Sequence, residues 1–425
     1  MKYVPGFEEN NKHQYFYSYS DCTTADNGLK RVPIELQYTT TKDGVDLALG
    51  RYSNPAGAPV ILMHGLAQNY RVWDFPVEGH NFAHYLFNRG YDVWLPCLRG
   101  HGSGVLQSTH FSGRENIDDH AIYDIPAIIE KVAVETSQKP IWVGHSLGGM
   151  LAYMYLQGVG YHQPSNSQSL DTSHVVTKSD AMGGNIGFAK GNEQLSLLHN
   201  QTLKAVITIA TPVKLTWKMT NFGKKVKLGF WKSNKILPLM AKSRTLRTIS
   251  SQLPYIPTAS FFHFLGHKTQ SGPSILKRFT RWSVSRIANS YLASLLWYPP
   301  NMNKSLINHL LHRTLNDISP GVLEQFADWV EHKTFRAFPQ ANEQAYEYAD
   351  NFHLITLPLL VITGDRDKIA PHDIVYQHGY KKMNSENKEY HCFRKFGHGD
   401  LCVGLRAFRC VYPFLENRIQ KFIRS

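Results

Sequence analysis

Five short apolar runs constrain this chain more than any other feature. They are "PVILMHG" (59–65), "YDVWLP" (91–96), "PIWVG" (140–144), "LKAVITIATPV" (203–213) and "LPLLVITG" (357–364). Each is the length of a strand, and none alternates apolar with polar residues. A strand with both sides apolar must be covered on both faces, which is the situation of a parallel sheet between helices. Helical spacing appears between the runs, in "HNFAHYLFNRG", "NIDDHAIYDIPAIIEKVAVET" and "MLAYMYLQG". "EYHCFRKF" and "LRAFRCVYPFLENRIQKFI" read as a last strand and a last helix. Ahead of the first run, alternation on both sides of Lys42-Asp43-Gly44 reads as a hairpin. The fold class expected is α/β, a mostly parallel central sheet flanked by helices.

With 425 residues, 42% of them hydrophobic, the chain suits one large α/β domain carrying an insertion. Residues 1–34 are polar and aromatic without period and read as an N-terminal arm. Core strands fall in 35–213 and 355–425, with a polar excursion at about 159–200. Residues 214–354 separate two core strands by far more than a crossover needs. Their helical patterns and many aromatics suggest an inserted helical cap.

The net charge of +13 is concentrated in that cap. Fifteen basic residues and no acidic ones lie between Lys214 and Arg286, and the remaining chain has 31 basic against 33 acidic residues. Lysines and arginines alternate there with Trp, Phe and Leu. Ile275, Phe279, Trp282, Ile287 and Leu292 could share part of one helical face if the stretch is helical. Such a pattern suits peripheral contact with an anionic membrane, and equally a solvated cap whose aromatics pack on the core. No nucleic-acid motif accompanies the charge, so no nucleic-acid partner is expected.

The N-terminal stretch lacks the apolar run of a secretory signal, and no window approaches the ~20 apolar residues of a membrane span. The five cysteines match neither a Cys-x-x-Cys metal site nor a disulfide framework. The expectation is a cytoplasmic protein, with peripheral membrane contact through the cap as one option.

"IWVGHSLGGML" (141–151) places Ser146 between a strand and a helical pattern, flanked by Gly144 and Gly148. A G-x-S-x-G turn of this kind lifts a serine above a sheet on strained backbone. An idle serine in a glycine-rich turn is the alternative, and its partners decide. Acyl transfer at serine needs a base, an orienting carboxylate and donors for the oxyanion. "LMHGLAQN" (62–69) ends an earlier strand where the amide of Leu66, with that of Leu147, can serve as donor. "GDRDKIAP" offers Asp365 and Asp367 after a later strand; Asp367 is preferred, with Asp365 shaping the turn. "FGHGDLC" puts His398 in the loop after the last strand, whereas His391 falls within it. Ser146, Asp367, His398 is the chain order of serine, acid and histidine expected on this scaffold.

These segments make the chain resemble the α/β-hydrolases, and within them the acid-lipase branch of gastric and lysosomal lipases. "TTTKDGVDLAL", "ILMHGLAQN", "GYDVWLPCLRGHGSG", "YDIPAIIEKV", "VGHSLGG", "SPGVLEQFADWVEHKTFRAF", "LPLLVITGDRDKIAP" and "GHGDLCVG" carry the likeness. The resemblance implies an esterase or lipase with a helical cap over an apolar acyl pocket, with Ser146, Asp367 and His398 as triad and Leu66 and Leu147 as oxyanion donors. Three features depart from that branch: Leu-Gly-Gly replaces the common Gln-Gly-Thr after the serine, a secretory signal is missing, and the cap is basic. The expected activity is hydrolysis of carboxylic esters with an apolar, lipid-like acyl part, requiring no cofactor and no metal. An acyltransferase or thioesterase would use the same residues. A catalytically silent membrane-binding module is the reading from another class.

Overall fold

The structure, a computed structural model, describes residues 14–17, 33–77, 79–109, 115–162, 187–215, 293–338 and 344–425. The basic residues from Lys218 to Arg286, the apolar face from Ile275 to Leu292, most of the N-terminal arm and residues 163–186 lie outside the described residues.

Nine strands form the main sheet: β1 (Gln14–Tyr17), β2 (Pro33–Thr40), β3 (Asp46–Tyr52), β4 (Pro59–Met63), β5 (Asp92–Pro96), β6 (Ile141–His145), β7 (Ala205–Ile209), β8 (Leu359–Gly364) and β9 (Lys388–Phe393). Their order is β1-β2-β3-β5-β4-β6-β7-β8-β9. The six strands from β5 to β9 run parallel, and β1, β2 and β3 add antiparallel pairs at one edge. The five apolar runs thus become β4, β5, β6, β7 and β8, adjacent at the centre of the sheet and wholly buried.

Side chains on a strand alternate between faces, and the core divides accordingly. Val60, Leu62, Val143, Ile207, Ile209, Leu360 and Ile362 enter one apolar cluster. Ile61, Met63, Trp142, Val206, Leu359 and Val361 enter the other. Helices α1 (Phe82–Phe87), α4 (Lys304–Arg313) and α6 (Ala407–Arg424) cover the first face. Helices α2 (Ile125–Thr136), α3 (Leu147–Leu156) and α5 (Pro320–His332) cover the second. The α4 and α5 stretch comes from the long segment between β7 and β8 and supplies Leu306, Leu310, Val322 and Trp329 to the two clusters. Within 159–200, Gly160–His162 and Phe188–Lys190 pair as an antiparallel ribbon, and Glu193–His199 is helical.

Met63 is level with Gly144, and Ile209 with His145. The chain therefore leaves β4, β6, β7, β8 and β9 at one edge, the carboxyl ends of the parallel strands, where open α/β sheets bind ligands. Among the described residues no helix is long and apolar enough to cross a membrane.

Candidate active site

Strand β6 ends at His145 and α3 begins at Leu147, leaving a single residue to make the turn. That residue, Ser146, has φ 53° and ψ −118°, a region that non-glycine residues occupy only under strain. The Ser146 amide donates to the carbonyl of Ile209 at 2.9 Å, which holds the turn against β7. The turn closes only because its flanks lack side chains. A Cβ on Gly148 would stand 2.6 Å from the carbonyl oxygen of His64, which is main chain and cannot yield. A Cβ on Gly149 would stand 2.0 Å from Oγ1 of Thr211. The threonine after β7 fills that space, which gives a physical reason for glycine at this departure from the Gln-Gly-Thr pattern.

The elements bring the sequence-selected residues together. Nε2 of His398 lies 2.9 Å from Ser146 Oγ. Its Nδ1 lies 2.9 Å from Asp367 Oδ2. The other carboxylate oxygen of Asp367 accepts the amides of Ile369 and Ala370 at 2.8 and 2.9 Å. Those bonds leave Oδ2 aimed at the imidazole. Asp365 sits elsewhere: its Oδ1 accepts the Lys395 amide at 2.6 Å and so shapes the turn after β9. His391 lies within β9, packed on Phe393 and Phe414.

The loop after β4 comes close to the serine, for a Cβ on Gly65 would stand 3.2 Å from Ser146 Cβ. His64 is fully buried, and burial pushes its pKa down to about 3. The neutral ring accepts the Leu98 amide on Nε2 and donates from Nδ1 to the carbonyl of Gly65. The Gln68 amide donates to the same carbonyl. A trans peptide sets its N–H opposite its C=O, so these two donors orient the Leu66 amide away from the His64 ring. Ala67, at φ 54°, and its carbonyl, which accepts the Asn316 amide at 2.9 Å, fix the far side of this loop. Leu147 opens α3, and the amides of a first helical turn have no partner within the helix.

Three residues of this site were not singled out by sequence. His145 and Gln68 bridge the loops around Ser146. Asp400, buried, accepts the amides of Gly397 and Tyr298 and the side-chain amide of Asn301 at 2.9 to 3.0 Å. Burial pushes its pKa up to about 6. All three lie inside quoted motifs, "GHS", "HGLAQ" and "GHGD", but only spatial neighbours reveal what they hold. Among the described residues no cluster of His, Cys, Asp or Glu has the arrangement of a metal site.

Residues 60–227 match the alpha/beta hydrolase family. Human lipase member K is 32% identical over 137 residues, covering 29% of this chain and 34% of that protein. Human gastric triacylglycerol lipase is 30% identical over 137 residues, with the same coverage. The chain thus matches about a third of the length of these curated relatives. Among solved structures, a Burkholderia cenocepacia protein assigned as an aryl esterase superposes with a TM-score of 0.51 at 15% identity, covering 92% of this chain and 100% of that one. That likeness concerns the fold.

Proposed function

We propose that this chain, an α/β-hydrolase similar in sequence to lipases of the gastric branch, hydrolyses carboxylic esters with an apolar acyl part. Ser146 Oγ attacks the ester carbonyl. His398 Nε2 takes the hydroxyl proton and passes it to the departing alcohol. Asp367 holds the imidazole in the required tautomer and stabilises the imidazolium. The amides of Leu66 and Leu147 receive the developing oxyanion. Water then repeats the sequence on the acyl-enzyme. The observation that supports this most is the pair of 2.9 Å contacts of His398, one to Ser146 and one to Asp367.

The lipid-like acyl preference draws on the likeness to lipases and on the aromatic-rich segment 214–354, which we read as a cap over the acyl site. The uncompensated basic residues of that segment favour a peripheral encounter with anionic membrane from the cytoplasmic side.

Turnover of p-nitrophenyl esters of increasing acyl length, beside triacylglycerol, phospholipid and acyl-thioester substrates, tests the substrate class. Longer acyl chains are expected to be preferred; activity confined to acetyl esters removes the lipid-like assignment. Cosedimentation with anionic and neutral vesicles across a salt series tests the membrane encounter. Binding to anionic vesicles that weakens with salt is expected, and equal partitioning to both excludes it.

A further inference from the structure

The segments that converge on Ser146 are joined through the side chain of His145. His145 is buried and immediately precedes the serine. Its Nε2 lies 3.2 Å from the carbonyl oxygen of His398. Its Nδ1 lies 3.2 Å from Oε1 of Gln68. That same oxygen accepts the Gly65 amide at 3.1 Å. Gln68 and Gly65 belong to the loop that carries the Leu66 amide, and His398 belongs to the loop after β9.

Both neighbours of the ring are acceptors, and a neutral imidazole has a single N–H to give. Burial and the adjacent His398 ring push the His145 pKa down to about 3, so the ring is neutral at neutral pH. Two loops therefore compete for one proton. With the proton on Nε2, the ring donates to the His398 carbonyl. Nδ1 then faces an oxygen, unless the Gln68 amide turns over and releases Gly65. With the proton on Nδ1, the ring donates to Gln68 and reinforces its hold on Gly65. The His398 carbonyl then loses this donor.

We infer that His145 is a positioning residue that couples the Leu66 loop to the His398 loop through the placement of its one ring proton. This inference rests on the proposed roles of His398 and of the Leu66 amide for its effect on turnover, while the coupling itself is a property of the fold.

A double-mutant cycle on the full chain tests it. Gln68→Met keeps length and removes the acceptor. His145→Phe keeps a ring and removes the N–H. Each variant and the pair are assayed for kcat and KM on p-nitrophenyl butyrate, and the backbone amide resonances of Gly397–Gly399 are followed in parallel. Coupling predicts a fall in kcat of about 10-fold for Gln68→Met and about 30-fold for His145→Phe, with KM little changed. Beside His145→Phe, Gln68→Met should then cost clearly less than it does alone, because only its direct hold on Gly65 remains to be lost. His145→Gln, which keeps a donor at the far end, should recover several-fold of the loss. Gln68→Met should also shift the Gly397–Gly399 resonances, and do so only when residue 145 is histidine. Losses that multiply to about 300-fold in the pair overturn the coupling, as do shifts that persist beside His145→Phe. A wild-type chain without esterase activity that still transmits the shift through His145 upholds the coupling and refutes the proposed reaction.

Discussion

The serine turn and the histidine loop meet over one 2.9 Å contact but are built differently. The turn at Ser146 is defined within a few residues: a strand, one strained position, glycines at 144, 148 and 149, and a helix. The loop at residues 394–404 has one short helical turn, Asp400–Val403, and is otherwise held by partners from outside it. Asp365 holds the Lys395 amide, Asp400 holds Gly397, and the stretch from Leu296 to Asn301 closes over it. The carbonyl of Leu296 accepts the Gly399 amide at 2.7 Å, and Asn301 reaches both Lys395 and Asp400. Sterics fix the first region; hydrogen bonds fix the second, several of them from the stretch Leu296–Asn301 about a hundred residues earlier. Changes in the turn should act by crowding, and changes around the loop by leaving buried polar groups without partners.

The largest effect separates the two carboxylates after β8. Asp367→Asn should lower kcat about 10⁴-fold with the fold intact, because the amide favours the wrong imidazole tautomer. Asp365→Asn, which still offers an oxygen to Lys395, should cost less than about 5-fold. Comparable losses from the two would reassign the acid. Next comes the turn: Gly148→Ala should lower stability by about 3 kcal/mol in denaturant titration, since main-chain atoms face the new methyl. A neutral result there would show that the turn tolerates side chains.

In the loop, Asp400→Leu leaves the Gly397 and Tyr298 amides without their acceptor and takes one of the two acceptors of the Asn301 side-chain amide. It should cost about 2–3 kcal/mol, and Asp400→Asn about half that, because one acceptor survives. Equal stability of both variants and the wild type would remove Asp400 from the support of this loop.

The smallest effect is the slope of stability against pH. Burial pushes His64 and His145 down to about 3 and His199 to about 4. Their folded pKa values are below the unfolded 6.5, so the stability they contribute is present above pH 6.5 and is lost on acidification. Burial raises Asp118 and Asp400 to about 6, with the opposite sign: their contribution is full below about pH 4 and lost as pH rises through 6. Burial also lowers His80, His162, His309 and His391, so between pH 6 and 4 the rings outweigh the two carboxylates and stability should fall on acidification. Denaturant titrations at pH 6 and 5 measure this; Asp400→Asn should steepen the slope, and a rise in stability toward pH 5 would contradict the assignment.

The same contrast governs what the sequence made legible. Apolar runs of five or six residues announce β4 to β8, because burial on both faces removes polar residues from them. The serine turn is legible because its sterics demand glycine at short, fixed offsets. Asp367 and His398 were nominated by position after their strands, since the order of the strands fixes the order of the loops. The supports were not legible. Nothing local distinguishes Asp400 from any surface aspartate, or His145 from the chain's other histidines, until Asn301, Tyr298 and Gln68 arrive from distant segments. The antiparallel partner β1, within a stretch read as an irregular arm, was missed for the same reason: its pairing with β2 is a tertiary fact.

The most direct test of Ser146 as nucleophile is labelling of the purified chain with a fluorophosphonate, followed by mass-spectrometric mapping of the modified residue. Attack by an activated serine predicts one phosphonyl group, on Ser146, and none on a folded Ser146→Ala variant. Labelling of that variant as strongly as the wild type, or an adduct on another residue, would contradict it.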